Sequence, residues 1–311
     1  MKYHRIKMHK NRLLHPPRLR PGDTIGIVAP AGPFDLELFD RGINVLKSFG
    51  FSVYWPKGIY KRAGYLAGLD THRAKQVNRL FSNPKIKAII CARGGFGSMK
   101  TLSLLNLELI RKNPKIFMGF SDISALLSVF YLHCGLVTFH GPVVTTLGKS
   151  TKKTKDTVLN VLSSDKNPGL KPKKGVTIKP GSASGPILGG NLTTLCHLMG
   201  TPYEPCFKDH ILLLEDTGEA TYRIDRMLTQ MKLAGCLEGL KGIVLGSFKK
   251  CGDLVEIFRI VEDLFSGDEI PILGGFDIGH GRTNITIPFG IEATLDADAK
   301  IIRFHEPATI E

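Results

Sequence analysis

A serine, a glutamate and a histidine each stand at the end of an apolar run in this chain, and together those three types can carry out nucleophilic acyl transfer. The serine is Ser121, in KIFMGFSDISALL (115–127), where a strand-like run gives way to a helix-like one. A tight strand-to-helix turn would lift the hydroxyl clear of the sheet. It would also aim the next amide, that of Asp122, at an oxyanion beside a helix N-terminus. Gly119 supplies a small residue before the turn, but Asp122 and Ile123 stand where a G-x-S-x-G elbow has its second glycine. Serine is also a favoured helix N-cap, and for this segment alone a cap is a sufficient explanation.

The carboxylate is Glu215, closing ILLLED (211–216), and the histidine is His280, between glycines in FDIGHG (276–281). Taken singly, Glu215 reads as a solvated strand end and His280 as a structural turn residue. Arriving in the order Ser, Glu, His, each at a strand end where open α/β folds place their chemistry, they outweigh those separate explanations. His140, in FHGP (139–142), is the rival base. It ranks second because it shares a half with Ser121 and brings no carboxylate with it. The loop ARGGFG (92–97) follows a buried strand, and Gly94 or Gly95 could present an amide to a phosphate or a developing oxyanion. It matches neither G-x-G-x-x-G nor a Walker A loop, and a plain packing turn explains it equally well. With no HExxH and no Cys/His cluster of zinc spacing, neither a metal nor a cofactor is expected.

The elements that must position these residues follow from length and pattern. A chain of 311 residues with 42% hydrophobic and 23% charged residues can build two cores. No run approaches the roughly 20 apolar residues of a membrane span, and the N-terminus has basic residues without the apolar core of a signal peptide. The six cysteines show neither CxxC pairing nor dense spacing, which fits a reducing cytoplasm. The net charge of +14 gathers in the first 20 residues and in 149–174, which holds eight lysines. Without an RRM, zinc-finger or helix-turn-helix signature it reads as solvated surface, so neither nucleic acid nor membrane is an expected partner.

Residues 1–18 read as a basic tail, 19–148 as an α/β domain, 149–185 as a Lys/Gly/Pro-rich linker and 186–311 as a second domain. In the first domain strands at 24–29, 51–55, 86–92, 116–120 and 137–140 alternate with helices at 36–49, 71–81 and 123–134, the order of a doubly wound parallel sheet. In the second, helices are expected at 192–199, 222–233 and 255–265, and strands at 211–214, 243–247, 272–278, 285–293 and 301–305.

Seven segments, LRPGDTIGIVAPAGP, ARGGFG, MGFSDIS, FHGP, LGGNLTTL, LLLEDTGEATYRIDRML and FDIGHG, resemble in that order the LD-carboxypeptidase family of serine peptidases. The resemblance runs from about residue 19 to the C-terminus. It implies an N-terminal flavodoxin-like domain with the nucleophile, a C-terminal β-rich α/β domain with the Glu and His, and a homodimer. By motif the triad is Ser121, Glu215 and His280, with Glu219 a neighbouring competitor for the carboxylate. The oxyanion donors are then the amides of Asp122 and of Gly94 or Gly95. The implied substrate is a muropeptide or nucleotide-linked muramoyl tetrapeptide that loses its terminal D-alanine. A free carboxylate calls for an arginine, and Arg93 and Arg223 are candidates, although an ordinary structural ion pair is the better explanation for either one alone; Asn191 is a third substrate-binding candidate. The family also includes microcin immunity proteins, which cleave peptidyl nucleotides with the same triad. A different class, an α/β anion binder without chemistry, accounts for the glycine loop but not for the three strand-end residues.

Overall fold

The computed structural model describes residues 13–165 and 169–311. Two sheets organise it. The first takes β1 (Thr24–Val28), β2 (Ser52–Tyr54), β3 (Ile86–Cys91), β4 (Ile116–Gly119) and β5 (Thr138–His140). These five run parallel in the spatial order β5-β4-β3-β1-β2, the flavodoxin-like winding. The reason lies in composition: β4 is buried throughout and β3 nearly so, as strands covered by helices on both faces must be. The helices Leu36–Ser48, capped by the Asp35 side chain on the Leu38 amide, and Ser124–Cys134, ended by a left-handed Gly135, match their sequence signals.

The second sheet continues the chain through β6 (Val176–Lys179), β7 (Ser182–Asn191), β8 (Ile211–Thr217), β9 (Gly242–Lys249) and β10 (Ile272–Gly274). After β11 (Ile287–Phe289) come β12 (Glu292–Asp296) and β13 (Ile301–Phe304). Its order is β13-β12-β7-β8-β9-β10-β6, with β7 to β10 parallel and antiparallel strands at both edges. The α/β class with a β-rich second domain is therefore as expected.

Three expectations need correction. Residues 285–293, read as one strand, form two: β11 pairs antiparallel with β5 in the first sheet, and after Gly290 β12 joins the second. β11 is buried throughout and β12 alternates half-buried with buried residues, and the buried run that joins them leaves no break in hydropathy at the change of sheet. The stretch 149–185, read as a linker, contains the helix Lys152–Ser163 and the strand β6. That helix buries Thr154, Val158 and Leu162 at helical spacing, while its lysines take the outer face. Finally, residues 1–12 of the expected tail lie outside the described residues, but 13–18 are docked. Leu14 bridges to Leu136, and Arg18 pairs with Asp165 and Glu311. Among the described residues no helix is long and apolar enough to cross a membrane.

Candidate active site

Ser121 sits just past the end of β4, with φ of 65°, in the left-handed region that a non-glycine residue enters only at a cost. A 3-10 turn, Ser121–Ile123, then leads into the helix Ser124–Cys134. The cap explanation fails here: Ile123 is the N-cap of that helix, with no side-chain capping bond. What holds the strained turn is its packing against the glycine loop. A Cβ on Gly94 would stand 2.9 Å from the Ser121 Cβ and 3.2 Å from its Oγ, so only glycine lets the two segments meet.

Residues that the sequence did not flag lock this contact. The Asp122 carboxylate accepts the Ser98 amide N–H at 2.8 Å, tying the elbow to the far end of the loop. Burial pushes the Asp122 carboxyl up, against the opposing hydrogen bond from Ser98. Arg73, fully buried, donates to the carbonyls of Gly97 at 2.7 Å, Gly68 at 3.2 Å and Pro30. No local motif announces an arginine that caps loop carbonyls; its helix reads as merely amphipathic. The departure of Asp122 from the hydrolase elbow was the one available signal for the Ser98 contact.

Glu215 lies near the end of β8, level with Asn191 on β7, and is fully buried. Its Oε2 accepts from His280 Nδ1 at 2.7 Å and from the His280 backbone N–H at 3.2 Å. The turn carrying His280 is held by Asn284, whose Oδ1 accepts the Gly279 N–H at 2.9 Å. Gly279 itself has φ of +100°, and a Cβ there would fall 2.2 Å from Glu215 Oε2. Glycine is therefore required twice over, by conformation and by space. Burial alone would raise the Glu215 pKa, but the imidazoles of His140 and His280 outweigh it and bring it down to about 2. The carboxylate is thus charged, and with His280 Nδ1 engaged, Nε2 is the nitrogen left for proton exchange. The His280 ring packs at a tilt against that of Phe120, the residue preceding Ser121, with centroids 4.8 Å apart.

Between the rival residues the geometry separates clearly. His140 does have a carboxylate after all: Glu215, from the other sheet, lies 3.9 Å from its Nε2. Yet His140 is fully buried, whereas the His280 side chain is 17% exposed and so open to a reactant. Glu219 pairs with Arg223 at 3.4 Å, and it is Glu215 that meets the histidine.

The substrate-binding candidates divide as well. Asn191 Oδ1 caps the short helix Leu192–Cys196, its Nδ2 donates to Asp216 at 2.9 Å, and its backbone N–H reaches Ser124 Oγ at 3.0 Å. One Nδ2 hydrogen is left over from that structural duty. Arg93 is exposed, with Nη1 donating to the Pro33 carbonyl at 2.5 Å. Arg223 is exposed on a cleft of about 540 Å³ that also presents His197, Glu219, Tyr222, Arg226 and Gln230. Thr193, in the same cleft, donates to Asp216, next to Glu215 in the chain. Among the described residues no group of three or more His, Cys, Asp or Glu could hold a metal ion.

Two α/β sheets, one ending in a strained serine and the other in a buried carboxylate bonded to a histidine, define a two-domain protein with a hydrolase-like site. Residues 25–141 match the family model of the LD-carboxypeptidase N-terminal domain, and residues 184–295 that of the LD-carboxypeptidase C-terminal domain. The chain therefore belongs to the LD-carboxypeptidase family and is a peptidase. It is 35% identical over 296 residues to a Bacillus subtilis protein named "Probable murein peptide carboxypeptidase", covering 92% of each chain. To the murein tetrapeptide carboxypeptidase of Pseudomonas aeruginosa it is 31% identical over 290 residues, covering 88% of this chain and 93% of the relative. Among solved structures, an MccF-like protein from Bacillus anthracis superimposes with a TM-score of 0.88 at 30% identity, covering 93% of this chain and 98% of that one.

Proposed function

We propose that the protein is a serine LD-carboxypeptidase that releases terminal D-alanine from muramoyl tetrapeptides in the cytoplasm, working as a homodimer. The observation that carries the reading is the 2.7 Å bond from His280 Nδ1 to a buried, charged Glu215, with the same imidazole packed against Phe120, next to the strained serine. His280 Nε2 takes the proton of Ser121 as Oγ attacks the carbonyl carbon of the amide between the L-centre and D-alanine. Glu215 holds the imidazole in the required tautomer and stabilises the imidazolium. The amides of Asp122 and of Gly94 or Gly95 receive the oxyanion, each such donor supplying roughly 3 kcal/mol to the transition state. Collapse breaks the C–N bond, and the imidazolium proton goes to the departing amine of D-alanine. His280 next deprotonates a water that attacks the acyl carbon; the ester C–O bond breaks, the imidazolium proton returns to Ser121 Oγ, and the tripeptide is freed. Arg223 or Arg93, and the spare amide hydrogen of Asn191, are the groups offered to the substrate's carboxylate.

The test is D-alanine release from a free muramoyl tetrapeptide by the wild type and by Ser121→Ala. Release by the wild type alone is expected, and equal release by both would remove Ser121 from the mechanism. The likeness to an MccF-like structure makes a peptidyl nucleotide the informative competitor substrate. Faster cleavage of that conjugate than of the tetrapeptide would move the assignment to the immunity-type activity.

A further inference from the structure

The two oxygens of the Glu215 carboxylate have unequal surroundings. Oε2 receives both N–H groups of His280, whereas Oε1, equally buried, has no hydrogen-bond donor. The imidazole edge of His140, at 3.9 Å, faces Oε1. Both ring nitrogens of His140 are buried without a hydrogen-bond partner. Buried polar atoms left unpaired are costly, and two such groups facing each other across a short gap point to an electrostatic task. His140 is also held rigidly: β5 places it between Gly119 of β4 and Ile287 of β11. Around it also lie the rings of Phe120 and Phe289, centred 6.1 and 5.7 Å away. Among the described residues the ionisable group paired with it is Glu215, with His280 across that carboxylate.

We propose that His140 is a positioning residue, a second imidazole on the triad carboxylate that acts through Glu215 to set the orientation and proton affinity of His280. The inference rests on the serine-peptidase reading above. His140 belongs to the first sheet and Glu215 to the second, so the set is complete only when the two domains are docked. A polar imidazole edge at Oε1 draws off part of the carboxylate's negative charge. Without it the whole of that charge acts on His280, which then holds its proton more tightly; Glu215, losing a stabilising neighbour, also ionises less readily. Both effects push the acid limb of activity to higher pH.

His140→Phe preserves an aromatic ring and removes the polar edge, while His140→Gln restores a donor. For His140→Phe, kcat at neutral pH should fall on the order of tenfold with KM within about twofold. The acid limb of kcat/KM should rise by about one pH unit, with partial recovery in His140→Gln. The NMR titration of the His280 ring, recorded in a Ser121→Ala background, should move in the same direction. That second readout needs no turnover, so it decides the coupling even if the tetrapeptide proves not to be the substrate. A lower melting temperature with an unmoved His280 midpoint and an unmoved acid limb would reduce His140 to space filling and overturn the proposal.

Discussion

Ser121 and Glu215 both follow or end buried parallel strands, but the first is held by backbone conformation and the second by charge. Ser121 occupies a left-handed turn that its own type disfavours, kept there by Gly94 on one side and the Asp122–Ser98 contact on the other. Glu215 sits within β8 where its pairing with β9 shifts register, and its cost is desolvation, offset by two imidazoles, one on β5 of the other sheet and one in the turn after β10. The difference teaches where each half can fail. Substitution at Ser121 should free stored strain, whereas substitution at Glu215 should release a stabilising charge network.

The sharpest separation comes from Ser121→Gly. Activity should fall by more than about 10⁴-fold, yet stability should hold or rise by up to about 1 kcal/mol as the positive φ ceases to be penalised. A stability loss in denaturant titration would show that the serine side chain, rather than its backbone, holds the turn. Glu215→Gln should cost about 10³-fold to 10⁴-fold in kcat and should also change the pH dependence of folding. The folded pKa, about 2, lies below the ordinary glutamate value of 4.5. Its stabilisation is therefore present above the unfolded pKa and is lost as pH falls through the folded one. The wild type should lose on the order of 3 kcal/mol between about pH 5 and pH 2, and the Gln variant should lack that share. An identical acid limb of stability in both proteins would break the comparison. The smallest effect belongs outside both networks: Arg223→Ala should leave stability within about 0.5 kcal/mol, while raising KM for the tetrapeptide roughly tenfold if its guanidinium receives the carboxylate. Unchanged KM would pass that role to Arg93.

Much of this arrangement was legible because it is local. The run 116–120, the turn and the helix after it are contiguous, so strand, elbow and helix could be placed from pattern alone. The parallel winding of β1 to β5 likewise follows from alternating buried runs and amphipathic helices. Misreadings occurred where local composition is ambiguous. The lysines of the helix Lys152–Ser163 concealed a thin apolar stripe, and the apolar continuity of 285–293 concealed a change of sheet. Arg73, Ser98 and Asn284 went unnoticed since none carries a motif: Arg73 reaches carbonyls of distant loops, Ser98 offers only its backbone N–H to Asp122, and Asn284 braces the Gly279 N–H within its own turn.

Residue type and order alone determined that this chain forms two α/β units and that a serine and a glutamate lie at or near strand ends, because short-range periodicity and turn chemistry are written in neighbouring residues; His280, expected just beyond a strand over 272–278, instead lies in a turn six residues past the end of β10 (Ile272–Gly274). Which histidine takes the glutamate, and that the other faces the same carboxylate from the opposite sheet, was decided only by tertiary packing. His140 and Glu215 are 75 positions apart, and Glu215 and His280 are 65. No local pattern encodes a contact of 2.7 or 3.9 Å between such residues; it exists because two separately wound sheets share a boundary.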